Sequence, residues 1–183
     1  MNEHLDHAAP EELMWQGRFI AAKRKGRWEY VGRTRGIQAA VIVAIDDGHI
    51  LLVEQYRVPL GRACLELPAG LVGDDKAGEA LEPAAARELE EETGYQAETI
   101  RVAGTFASSP GMVSESFTLV IAEGLTKIGE GGGVAGEEIL VHRVPLVDLP
   151  GFIEAKRAEG LAMDVKLLLL LGPALLGAAL TAI

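Results

Sequence analysis

The sequence predicts a mixed α/β fold of the α+β kind, with a mixed β-sheet sandwiched between helices and a small antiparallel strand lobe at the N-terminus. Three observations carry this. Short apolar runs of strand length fill the first third of the chain and return after residue 95. One highly charged stretch, Leu81 to Thr93, has the length of a helix, and Gly94 supplies its stop signal. Two helix-like segments close the chain, so strands come first, a helix is inserted, and helices finish. That order suits a sandwich rather than a regular βαβ array.

Each element can be read in turn. Residues 1–15 are acidic, lack an apolar stretch, and read as a leader rather than a signal peptide. Residues 16–35 form the strand lobe, with Arg18–Lys23 and Arg27–Arg33 as its strands around a basic turn. The main domain spans 36–183. In it Ile37–Ile45 and His49–Tyr56 flank Asp46-Asp47-Gly48, a hairpin turn signal. Cys64–Leu67 leads into Pro68-Ala69-Gly70 and a charged loop. After the helix, strands are expected at Glu98–Phe106, Phe117–Glu123 and Glu137–Val144, with a glycine-rich loop before the last. Leu149–Glu159 and Met163–Leu171 read as helices.

Composition narrows the function classes. The 183 residues are 49% apolar, enough for one domain with a real core. A net charge of −10 argues against a nucleic-acid partner and against an anionic membrane surface. A single cysteine, Cys64, excludes an internal disulfide and a cysteine zinc cluster, and points to a reducing, cytoplasmic setting. From Leu167 to Ile183 no residue is charged. Gly172, Pro173 and Gly177 interrupt this tail, which reads as a buried or dimer-packed helix, with a membrane anchor as the alternative.

The charged helix holds the chemistry. Glu88, Glu91 and Glu92 stand at i, i+3 and i+4, so their carboxylates share one face. Like charges so placed weaken an isolated helix, and a bound hard cation such as Mg²⁺ would offset that cost. Glu90 points the other way and reads as solvated; Arg87 stands beside the cluster and can pair with it.

The spacing around these residues is specific: Gly73, five residues, Glu79, seven residues, Arg87-Glu88-Leu89, one residue, Glu91-Glu92, one residue, Gly94-Tyr95. This resembles the Nudix box, the signature of the Nudix hydrolase family, and the resemblance extends over roughly residues 18–171. It implies the Nudix fold and hydrolysis of a nucleoside diphosphate linked to another moiety, with Mg²⁺ or Mn²⁺. It also implies Glu88 and Glu92 as metal ligands, Glu91 assisting, and Glu79 as a further ligand.

Features outside the box resemble the ADP-ribose pyrophosphatase subgroup. Glu66-Leu67-Pro68-Ala69-Gly70 precedes the box, and in those relatives the alanine offers its carbonyl to the metal. Pro110, in Ser109-Pro110-Gly111, lies where the subgroup carries a proline, although Pro-Gly makes a turn in any protein. Arg57 ends the second hairpin strand and has a planar fork suited to phosphate, with a surface salt bridge as the alternative; Glu66 is expected beside it at the substrate. One departure is that Gly73, not Gly70, has the box spacing, which leaves the part played by Gly70 open.

The resemblance further implies a catalytic glutamate on the glycine-rich loop. Glu137 matches best, with Glu138 and Glu130 as runners-up; Glu115, after the Ser109-Pro110-Gly111 turn, is a weaker candidate. Trp28 offers a face for a base or packing for an interface. His142 reads as structural, and His4 and His7 as leader residues. The expected activity is hydrolysis of ADP-ribose to AMP and ribose 5-phosphate by a homodimer. The alternatives are another nucleoside diphosphate sugar, such as GDP-mannose, and a module that binds such ligands without cleaving them.

Overall fold

The run QAAVIVAID has no polar alternation, and a strand of that kind must be covered on both faces. In the computed structural model, which describes residues 5–35, 38–73, 78–134 and 136–172, it is the central strand. In chain order the strands are β1 (Glu11–Gln16), β2 (Ile20–Lys25), β3 (Trp28–Arg33), β4 (Gln38–Asp46), β5 (His49–Arg57), β6 (Arg62–Glu66), β7 (Ala69–Val72), β8 (Tyr95–Ala107), β9 (Ser116–Lys127), β10 (Leu140–Pro145) and β11 (Ala162–Met163). The helices are α1 (Leu81–Thr93) and α2 (Leu149–Ala158).

The large sheet runs β11-β6-β5-β4-β9-β8, with β10 on β5 and β7 on β4. It is mixed: β4 and β9 are parallel, as are β6 and β11, and the other pairs are antiparallel. Side chains alternate across β4. Ala40, Ile42 and Ala44 join Leu51, Val120, Ala85 and Leu89 in a core under α1. Val41 and Val43 turn to the opposite core, with Leu65, Val144, Leu149, Ile153, Leu167 and Leu171. So the helices cover two faces of one sheet, as the apolar pattern requires.

The acidic helix has the expected limits. Pro83 sits in its first turn, where no intrahelical donor is lost. Gly94 ends it in the left-handed region, at φ 73°, with its N–H on Glu90 C=O at 2.9 Å.

Three readings are corrected. The leader gives way at Glu11, because Glu11–Gln16 pairs with β2 and makes the N-terminal sheet three-stranded. The helix expected from Met163 starts later. Asp164 N–H donates to Leu65 C=O, which extends the pairing of β11 with β6, and the Asp164 carboxylate caps a 3₁₀ turn at Val165–Leu167. Residues 168–172 are helical. Finally, Ala69 and Gly70 are not in a free loop, since they open β7 and pair with Val41 and Ala40.

The apolar tail beyond residue 172, the box-loop residues 74–77, and residues 1–4 with His4 lie outside the described residues. No helix among the described residues is long and apolar enough to cross a membrane.

Candidate active site

The period of two in β5 and β6 decides which side chains meet α1. Leu51 faces the α1 core, so Gln55 and Arg57 follow it on that side, while Glu54 turns to the other face and pairs with His142 and Lys156. In β6, Glu66 lies across from Val53 and faces the same way as Arg57. These residues open into a cleft of about 550 Å³ lined also by Ala69, Gly70, Arg87, Glu88, Glu91, Glu92 and Glu137.

Arg57 and Glu66 form a two-pronged pair, Nε to Oε1 at 2.6 Å and Nη2 to Oε2 at 2.9 Å. That pairing raises the Arg57 pKa above its usual value and fixes the plane of its guanidinium. Glu66 is buried, and both of its carboxylate oxygens accept from Arg57.

On α1, Glu88 and Glu92 turn toward the β7 strand. Ala69 N–H donates to Glu92 Oε2 at 3.0 Å. Gly70 has a clear part here: a Cβ on it would stand 1.9 Å from the Glu88 carboxyl carbon. Only glycine allows that approach, whereas Gly73 serves the turn after β7 at φ 86°. Burial pushes the Glu92 pKa up to about 8, with Glu88 and Glu137 adding to the shift and the Ala69 N–H opposing it. Burial also raises Glu88, against the pull of Arg87.

Arg87 is the hub of the helix face. It reaches Glu91 at 2.9 Å, Glu88 at 3.0 Å and Glu79 at 3.4 Å. Glu79 is therefore held against Arg87 and does not line the cleft. Glu90 is exposed, as the helix period requires.

Glu137 lines the cleft from the glycine-rich loop, its Oε2 accepting the Val134 N–H at 2.9 Å. The other acids considered have different surroundings. Glu130 is exposed and pairs with Lys127. Glu138 is exposed, at φ 50°. Glu115 lines the cleft but is taken by Arg33, Nε to Oε1 at 2.5 Å.

Trp28 and Pro110 are brought together, but not here. They line a separate groove of about 400 Å³ between the N-terminal sheet and the 109–114 loop, with Lys25, Tyr30 and Ser114. The sequence reading missed Arg33, Gln55, Phe117 and Lys166 as lining residues. Lys166 Nζ lies 2.7 Å from Asp164 and 5.6 Å from the Phe117 ring centre, a cation held at the cleft wall. No local spacing marks it, because the β4–β9 pairing brings Phe117 to it from afar.

No three His, Cys, Asp or Glu side chains among the described residues converge as a ready-made metal cage. What the cleft offers is an all-oxygen donor set, the buried Glu92 and half-buried Glu88 carboxylates on one helix face, beside a fixed guanidinium.

The chain is similar to several known proteins. An ADP-ribose pyrophosphatase of Bacillus subtilis (strain 168) is 37% identical over 118 residues, 64% of this chain and 62% of that one. An ADP-sugar pyrophosphatase of Mus musculus is 38% identical over 183 residues, 85% of this chain and 81% of that one. A solved structure described as an ADP compounds hydrolase covers 92% of this chain and 93% of its own, with a TM-score of 0.68 at 24% identity, a likeness of fold. The match spans less than two thirds of the length of several curated relatives. The family model for the NUDIX domain matches residues 34–162, and with most of its length so matched the chain belongs to the Nudix family.

Proposed function

We propose that this chain is a Mg²⁺-dependent pyrophosphatase that hydrolyses ADP-ribose to AMP and ribose 5-phosphate. The observation that carries the reading is the pair Glu88 and Glu92, half-buried and buried on one face of α1 and opening into a cleft shared with Arg57 and Glu137.

The donor set fits a hard divalent cation. Mg²⁺ commonly takes one or two carboxylates and completes its octahedron with water and substrate phosphate, so it needs no three-carboxylate cage. Glu88 and Glu92 would hold it, with Ala69, which lines the same cleft, as the expected carbonyl donor and Glu91 assisting through Arg87. When bound, the cation neutralises diphosphate charge and lowers the pKa of a water.

The chain's own residues supply the rest. Arg57, fixed by Glu66, presents donors to a phosphate oxygen. Glu137, on its loop, accepts a proton from the attacking water. Arg87 spreads its charge over three carboxylates and keeps Glu88 and Glu91 in place. Glu79 acts through Arg87 in this reading. Trp28 and Pro110, in their groove, are the proposed seat of the base.

The proposed assembly is a homodimer. Leu13, Met14, Trp15, Phe19 and Ile20 leave a broad apolar surface on the N-terminal sheet, and such a surface suits a second copy.

A second substrate reading, GDP-mannose, is favoured by a GDP-mannose pyrophosphatase of Cronobacter sakazakii that is 36% identical over 149 residues. A panel of nucleoside diphosphate sugars with Mg²⁺, scored for released phosphomonoesters, separates the two. Fastest release from ADP-ribose is expected; release from GDP-mannose alone would select the second reading, and binding without release would select neither.

A further inference from the structure

The glycine-rich loop is fastened to the end of the acidic helix. Ile128 and Gly129 N–H both donate to Gly94 C=O, at 2.8 and 3.0 Å. Gly132 N–H donates to Glu92 C=O at 2.9 Å, and Gly133 N–H to Glu91 C=O at 3.0 Å. The last carbonyls of a helix have no partner within it. Here the loop satisfies two of them, and they belong to residues whose side chains line the cleft.

The contact is closer than a side chain permits. Gly131 has φ 68°, and a Cβ on it would stand 2.4 Å from Thr93 C and 2.5 Å from Glu92 O. Both are backbone atoms, which cannot rotate away. Gly129 is the internal contrast, since its Cβ would be 3.9 Å from Gly94 Cα, an ordinary contact. From the fastened glycines a short chain of bonds leads to Glu137. Gly132 C=O accepts the Ile139 N–H at 3.1 Å, and Val134 N–H holds the Glu137 carboxylate.

We propose that residues 128–133 are a clamp that keeps Glu137 in register with Glu88 and Glu92, and that Gly131 is its positioning residue. This rests on the reading of Glu137 as the base and of Glu88 and Glu92 as cation ligands. A base misplaced by about 1 Å costs on the order of 10²-fold in rate, while substrate binding through Arg57 is untouched.

Two measurements on the full chain test the clamp, and the first needs no variant. Hydrogen exchange in the native protein should find the Gly132 and Gly133 amides protected; fast exchange at both would overturn the proposal. The second is a comparison of Gly131→Ala with Gly129→Ala, using ADP-ribose and Mg²⁺. Gly131→Ala should lose about 10²-fold in kcat with KM nearly unchanged. Gly129→Ala should stay within about twofold of the parent. Because the clamp acts through Glu137, adding Gly131→Ala to Glu137→Gln should cost little more than Glu137→Gln alone. Additive losses, or equal losses from both glycines, would overturn the proposal. Should the parent not hydrolyse ADP-ribose, the functional reading fails, and the exchange of the Gly132 and Gly133 amides, compared between the parent and Gly131→Ala, still decides the clamp.

Discussion

The cleft beside α1 and the N-terminal sheet are built on opposite imbalances. In the cleft, carboxylates are buried: Glu92 is 7% exposed and Glu66 6%. On β1 and its turn, apolar groups are bare: Leu13 and Trp15 are each 58% exposed and Phe19 62%. Both arrangements cost stability in isolation, since a buried charge wants a partner and an apolar patch wants cover. Glu66 has its partner in Arg57, whereas Glu92 has the Ala69 N–H and the more distant Arg57 charge against two neighbouring carboxylates. The two regions therefore call for different companions. The cleft suits a hard cation with an anionic substrate, and the sheet suits a second copy of the chain.

The largest effects are expected in the cleft. Glu92→Gln or Glu88→Gln should reduce turnover by orders of magnitude while the fold persists, as kcat at saturating Mg²⁺ would measure. Glu137→Gln should follow with a loss of about 10²–10⁴-fold, mainly in kcat. Near-normal activity in Glu137→Gln would move the base elsewhere, with Glu91 next in line.

The sheet side predicts a smaller effect. Light scattering should give a particle of twice 19.4 kDa. Placing Glu at Leu13 and Trp15 together should yield a monomer that still folds. Since Trp28 lies on that same sheet, KM should rise more than kcat falls in that monomer. A parent that is monomeric at micromolar concentration would refute the dimer.

The smallest effect is on stability and has a definite sign. Glu92 holds its proton more tightly folded, with a pKa of about 8, than unfolded, where the ordinary value is 4.5. Its contribution to stability is thus complete below pH 4.5 and is lost as pH rises through about 8. Metal-free protein should melt at lower temperature across that window, by an amount on the order of a few kcal/mol in stability. Glu92→Gln should flatten the slope, and Mg²⁺ should restore the parent at the alkaline end. An unchanged slope in Glu92→Gln, followed by thermal melts with a chelator, would contradict this.

How much could be read beforehand follows from how local each feature is. The limits of α1 and the shared face of Glu88, Glu91 and Glu92 were legible, because one helical period and one glycine fix them. Strand β1 was not. Glu11–Gln16 follows a proline, opens on two acids, and becomes a strand only by pairing with Lys25–Ala21 of β2. The cleft wall was legible in part. Arg57 and Glu137 stand at motif ends, whereas Arg33, Phe117 and Lys166 come from three separate elements whose meeting depends on sheet order. Gly70 shows the same limit, since its need for space arises from a glutamate eighteen residues later in the chain.

The central claim is that Glu88 and Glu92 form a divalent-cation site, and Mn²⁺ binding followed by electron paramagnetic resonance tests it without any assumption about substrate. The parent and Glu90→Gln should bind Mn²⁺ alike, since Glu90 is exposed on the far side of α1. Glu88→Gln and Glu92→Gln should each lose that binding, and Mg²⁺ should displace Mn²⁺ from the parent. Equal Mn²⁺ binding by the parent, Glu88→Gln and Glu92→Gln would contradict the claim.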